Sequence, residues 1–196
     1  MNRINYARRL RHHRNSLLNV LEEKDISIMA EIGIFKSKLT KHLLESKPGK
    51  SKIKEYYAID QWRIFSEEQK NAVWNPEKWL KMKTDDWDSF YKYSCELMLW
   101  GFRGKLFSIR LPSCKAAQIF PDSYFDFVYI DAHHSYQDVQ NDIKAWLPKV
   151  KKGKFIGGHD YYSTREHGEQ VVKAVDDFFG IDRIELPGGE VWLVQV

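Results

Sequence analysis

Cysteine is nearly missing from this chain: Cys95 and Cys114 are the two among 196 residues, and their spacing fits neither a metal-binding nor a redox pattern. A disulfide scaffold would need more, so both read as reduced thiols. No apolar run approaches the roughly 20 residues that span a bilayer, and the N-terminus is charged where a secretion signal would be apolar. These absences predict a cytoplasmic protein with no membrane partner. Glycine and proline are sparse, at 11 and 6, which argues against collagen-like or low-complexity chains, and the 43% hydrophobic and 14% aromatic content argues against disorder. What is there is a folded globular chain of a size for one domain.

The net charge of +4 suggests a nucleic-acid partner until it is resolved along the chain. Arg3, Arg8, Arg9, Arg11 and Arg14 stand together before Asn15 with no acid among them; the rest holds 26 basic against 27 acidic side chains, a net of −1. Two lysine runs, Lys47 to Lys54 and Lys149 to Lys154, precede the second and fifth predicted strands. They read as a solvated face away from any site at the opposite strand ends, which makes nucleic acid an unlikely partner.

Hydrophobic spacing divides the chain into a basic helix within residues 1–25 and a main domain over 26–196, with a helical insertion at about 61–102. Leu10, Leu17, Leu18 and Leu21 share a face of the first helix. Strands are predicted at Ile26–Gly33, Glu55–Asp60, Lys105–Leu111, Phe125–Asp131 and Phe155–Asp160. Helices are predicted after the first strand, ending at Pro48-Gly49, from Thr84 to Trp100, from Ser135 to Pro148, and over Val171–Phe179 up to Gly180. Glu190–Val196 closes a terminal hairpin. Strands alternating with helices give an α/β fold: a Rossmann-like doubly wound, mostly parallel sheet with an antiparallel C-terminal strand.

Ligands of such sheets bind outside the carboxyl ends of the strands. Those ends carry Glu31 and Gly33, Asp60, Asp131 with His133 and His134, and His159 with Asp160. Glycine after the first strand allows a tight turn and close approach to a ligand, and an acid closing the second can bind a ribose diol, so a nucleoside cofactor is indicated. The G-x-G-x-x-G cradle for a pyrophosphate is absent, and bulky Phe35 and Lys36 follow Gly33. S-adenosylmethionine (SAM), which has no pyrophosphate, fits.

Four blocks in order, Ala30-Glu31-Ile-Gly33 to Ser37, Tyr57-Ala-Ile-Asp60-Gln-Trp62, Phe125 to Tyr136 with Asp131 and His134, and Gly157-Gly-His159-Asp160-Tyr161, resemble class I SAM-dependent methyltransferases. They are most similar to the small-molecule branch that includes macrocin-type sugar O-methyltransferases. The resemblance implies that Gly33 lines the methionine part of SAM, Glu31 supports that loop, Asp60 holds the ribose hydroxyls and Trp62 packs on adenine. It implies further that Asp131, His159 and Asp160 hold a divalent metal such as Mg or Mn, and that His134 is the general base.

Two positions depart from the family pattern. Ser37 stands where members commonly have glycine, and His159 replaces an acid, which shifts the metal preference toward Mn, Fe or Zn. With its ordinary pKa near ~6.5, His134 would take the proton of a substrate hydroxyl. The function expected is O-methylation of a small hydroxylated molecule, a sugar or glycoconjugate, by an enzyme for which a homo-oligomer stays open. The alternatives are an RNA methyltransferase that uses the Arg-rich helix, a degenerate SAM-binding module, and iron-dependent oxidation on the same ligands. For single residues the bland readings also stay open: His134 and His133 as turn residues, Tyr161 and Tyr162 as packing, and Trp74, Trp79 and Trp87 as a lid or a sugar-stacking surface.

Overall fold

The computed structural model describes residues 3–63, 81–161 and 166–196. Trp74, Pro76, Trp79 and Tyr162, and with them much of the expected insertion, lie outside the described residues. In chain order the elements are α1 (Arg3–Glu23), β1 (Ile28–Ile32), α2 (Lys38–Glu45), α3 (Lys47–Ser51), β2 (Glu55–Asp60), α4 (Thr84–Glu96), β3 (Leu106–Arg110), α5 (Ser113–Ala117), β4 (Phe125–Ile130), α6 (Tyr136–Trp146), β5 (Val150–Gly158), α7 (Glu166–Phe179), β6 (Glu185–Gly188) and β7 (Val191–Gln195).

All six residues of β4 are buried, as a mostly apolar strand covered on both faces requires, its one charged residue, Asp126, included. The sheet runs β3-β2-β1-β4-β5-β7-β6. β1 to β5 are parallel, and β7 enters antiparallel between β5 and β6. One face packs Val128 and Ile130 under Val139, Ile143 and Trp146 of α6 and Val171, Ala174 and Val175 of α7. The other packs Met29, Phe127 and Tyr129 under Leu17, Val20 and Leu21 of α1 and Leu43 and Leu44 of α2. α1 is therefore a layer of the domain. It also touches the C-terminal hairpin, where Lys24 Nζ pairs with Glu185 at 3.2 Å.

Local chemistry sets the ends. Ser135 caps α6 by accepting the Asp138 N–H at 3.2 Å, and Gly180, at φ +79°, stops α7. Pro48-Gly49 does not end a helix. Ser46 starts a new one there, accepting the Gly49 N–H at 3.0 Å with Pro48 in the first turn, where its missing N–H costs nothing. A π-helical turn, Leu97–Gly101, follows α4. α5 is too short to leave a periodic signal.

β5 begins earlier than the sequence indicates, so Lys151, Lys152 and Lys154 lie inside it, in its first half. Lys151 pairs with Asp126 at 2.9 Å and Lys154 with Asp25 at 2.9 Å. The second oxygen of Asp126 accepts the Ser27 and Ile28 N–H groups, both at 2.9 Å. This buried carboxylate thus ties together the amino ends of β1, β4 and β5, the edge away from the predicted site.

Candidate functional site

At the carboxyl edge the backbone ladder continues one residue past each strand. Gly33 N–H donates to Ile59 O at 2.9 Å, Asp131 N–H to Ile32 O at 2.8 Å and His159 N–H to Ile130 O at 3.1 Å. Residue 33 must be glycine: a Cβ there would lie 2.1 Å from the Asp131 carbonyl oxygen, at φ +91°. The turn after β1 therefore lies directly on the turn after β4, bringing the ends of two central strands together.

Asp60 organises the first turn. Its Oδ2 accepts the Ile34 and Phe35 N–H groups, both at 2.9 Å, and its Oδ1 accepts the Trp62 N–H at 2.7 Å. A carboxylate has about four acceptor sites, so a ribose diol would find little more than one left, at Oδ1. Trp62 turns inward. It is fully buried, its indole N–H donates to Phe35 O at 2.9 Å and its ring leans on Tyr91, so it has no exposed face on which adenine could stack. Arg110, opposite Asp60 on β3, holds the Trp62 carbonyl and pairs with Asp88 at 2.6 Å.

Glu31 points into the layer under α2, where its Oε2 accepts the Thr40 hydroxyl at 2.6 Å and the Tyr56 hydroxyl. Burial pushes its carboxyl up to about 8, against the pull of those two hydroxyls. It supports the turn from below. Ser37, at the start of α2, is left-handed at φ +54° and fully buried, and its hydroxyl has no hydrogen-bond partner among the described residues. The backbone conformation explains why glycine suits this position.

The charged centre lies between β4 and β5. His134 Nε2 is 2.9 Å from Asp160 Oδ2 and 3.5 Å from Asp131 Oδ1, and His159 Nδ1 is 3.8 Å from Asp131 Oδ1 and 3.5 Å from Asp160 Oδ1. Burial alone would lower His134, but its bonds to Asp131 and Asp160 outweigh it and lift the imidazole to about 10. His159 is raised for the same balance of reasons. Burial would raise Asp131 and Asp160; the imidazolium charges and bonds outweigh it, and both carboxyls fall below their ordinary range. His134 is thus a cation between two anions rather than the free imidazole expected from its ordinary pKa.

The residue that sequence reasoning missed is His13. It stacks on His159 with ring centroids 4.0 Å apart and planes 22° apart, and its Nε2 pairs with the Tyr129 hydroxyl. Burial first, then the charge of His159, lowers it to about 3, so it stays neutral. Its signal, a histidine on the inner face of an Arg-rich helix, was masked by the arginines. His133 pairs with Asp138 at 2.5 Å. Tyr161 is buried and donates to Asp176 at 2.6 Å, and Trp87 is buried against Phe35 and Phe90; all three are packing or turn residues.

Asp131, His134 and Asp160 each offer a ligand atom within 4.8 Å of the others. Asp160 Oδ1 is buried without a hydrogen bond. Two carboxylates with imidazoles suit a borderline divalent ion such as Mn, Fe or Zn, so the donor chemistry fits a metal.

The sequence model of a family described as "Methyltransferase domain" matches residues 30–161. No curated protein sequence matches the chain. Among solved structures, a protein assigned as a caffeoyl-CoA O-methyltransferase from Staphylococcus aureus aligns with a TM-score of 0.63 and 11% identity, over 94% of this chain and 83% of that one. The O-methyltransferase NovP aligns at 0.59 and 14%, over 93% and 76%. CalS11, a TDP-rhamnose 3'-O-methyltransferase of calicheamicin biosynthesis, aligns at 0.57 and 12%, over 99% and 81%. At these identities the likeness is one of fold.

Proposed function

The chain belongs to the methyltransferase-domain family, and from that premise we propose that it moves the methyl group of SAM to a hydroxyl of a small molecule, a sugar or glycoconjugate, with a divalent cation at Asp131, His159 and Asp160. The observation that carries this reading is the convergence of Asp131, His134, His159 and Asp160 at the carboxyl ends of β4 and β5. They stand beside the turn at Gly33, which packs directly on the Asp131 backbone. The likeness to NovP, an O-methyltransferase, supports a hydroxyl acceptor, and that to CalS11, a TDP-rhamnose 3'-O-methyltransferase, a sugar.

In the reaction a lone pair of the acceptor oxygen attacks the methyl carbon, the carbon–sulfur bond breaks, the sulfonium leaves as a neutral thioether, and the hydroxyl proton must go to a base. Alignment of oxygen, carbon and sulfur supplies much of the rate. The turn at Gly33 lines the methionine part of SAM, and Asp60, through its remaining acceptor site, takes a ribose hydroxyl. Trp62 acts indirectly, holding the Phe35 carbonyl and so the shape of the turn.

A bound divalent cation would orient the acceptor hydroxyl and make it more acidic. Asp131 and Asp160 would be its anionic donors and His159 its imidazole. His134 takes the substrate proton at Nε2, a role open to it only while Asp131 and Asp160 are engaged by another positive charge, because paired with both it already holds that proton at neutral pH. α1 presents its inner face to the sheet and its His13 to the site.

Calorimetry with SAM and with its demethylated product tests the cofactor. Binding of at least one is expected, and absence of both sinks the reading. Methyl transfer to a panel of nucleotide-linked and free sugars, with and without Mn²⁺, tests the acceptor class.

A further inference from the structure

We propose that Glu190, in the β6–β7 turn, is a ligand of the divalent cation and supplies the carboxylate that position 159 lacks. This rests on the metal-assisted reading above. Where the metal-dependent pattern places two acids in succession after β5, this chain has His159 and Asp160. Hard divalent cations prefer oxygen donors, so that exchange weakens the site for them unless another oxygen takes its place.

Glu190 is distant in sequence, but the hairpin folds it back. β7 pairs with β5 so that Trp192 lies opposite Gly158, and the Tyr161 N–H donates to the Glu190 carbonyl at 3.0 Å. These contacts fix the turn beside the last residues of β5. One ligand atom each from His159, Asp160 and Glu190 then lies within 4.8 Å of the others, the same spread that relates Asp131, His134 and Asp160. Asp160 belongs to both groups.

A second observation points to a ligand. Asp160 is 5% exposed, yet its Oδ1 accepts no hydrogen bond among the described residues. His159 Nδ1, at 3.5 Å, is an ion-pair neighbour of that oxygen. A buried carboxylate oxygen left in this state is costly unless something binds it. With Glu190, the group around His159 and Asp160 offers two carboxylates and one imidazole, a set that accepts Mn as well as Zn.

The test is an electron paramagnetic resonance titration of Mn²⁺ into the full-length, metal-free protein, with Zn²⁺ binding measured in parallel by calorimetry. Glu190→Gln is expected to weaken Mn²⁺ binding by about tenfold or more, and Zn²⁺ binding by less, while Asp160→Asn weakens both. Mn²⁺ binding by Glu190→Gln at wild-type strength, with Asp160→Asn still defective, overturns the role of Glu190 and leaves the metal reading standing. No binding of Mn²⁺, Mg²⁺ or Zn²⁺ by the wild type overturns the metal reading itself. Glu190→Asp keeps the charge but shortens the reach: loss like that of the Gln variant supports direct ligation, whereas full retention reduces Glu190 to a distant charge and overturns it as a ligand.

Discussion

Replacing Ser37 by glycine should stabilise this protein, although it deletes a buried side chain. Two costs disappear. The left-handed backbone at φ +54° costs an L-residue about 1–2 kcal/mol relative to glycine, and a buried hydroxyl without a partner costs about 1–3 kcal/mol. Against this, glycine makes the unfolded chain freer by about 0.5–1 kcal/mol. The net gain is about 2 kcal/mol, which for a chain of this size raises the Tm by about 4–8 °C. Urea and thermal unfolding of wild type, Ser37→Gly and Ser37→Ala measure it. The alanine variant removes the hydroxyl and keeps the strain, so it should fall between the other two. A glycine variant no more stable than wild type would refute the reasoning, and an alanine variant that matches glycine would show that the backbone at Ser37 stores no strain.

Glu31, raised from 4.5 to about 8 in the fold, holds a proton in the native state that the unfolded chain has lost between those values. Stability should therefore decline as pH rises from about 4.5 to about 8, and Glu31→Gln should flatten that decline in a series of urea melts; an unchanged slope counts against a protonated Glu31. His13→Ala strands the Tyr129 hydroxyl and should cost about 2–4 kcal/mol, with less than additive loss when combined with Tyr129→Phe in a double-mutant cycle. Gly33→Ala drives a Cβ into the Asp131 carbonyl and should cost at least about 3 kcal/mol and abolish SAM binding by calorimetry. Asp131→Ala should retain the fold by circular dichroism and lose methyl transfer; full activity would remove the proposed metal and base geometry.

The strand ends were legible in the sequence because parallel strands buried on both faces write themselves as apolar runs, and a polar residue after such a run can only lie at the edge. That is why the sequence alone puts Asp60, Asp131 and Asp160 at that edge. What the side chains do at that edge was less legible, since it depends on partners distant in sequence. Asp60 looks like an open ribose acceptor until the N–H groups of Ile34 and Phe35 reach it. His134 looks like a free base until Asp131 and Asp160 close on it. Trp62, just past a strand end, is expected to pack on adenine, but the chain there is left-handed at φ +38° and the ring is fully buried. His13 was hidden for a simpler reason: charge counting draws the eye to the arginines around it.

The packing of α1 on the C-terminal hairpin joins the two ends of the chain. Part of the surface on which α1 rests, β6 and β7, comes from the far end of this sequence. Such contacts span nearly the whole sequence and come with a large loop-closure cost, so they form late in folding. Until then Val191 and Leu193 of β7, which share a core with α1, lack that cover, a window in which the chain can associate wrongly.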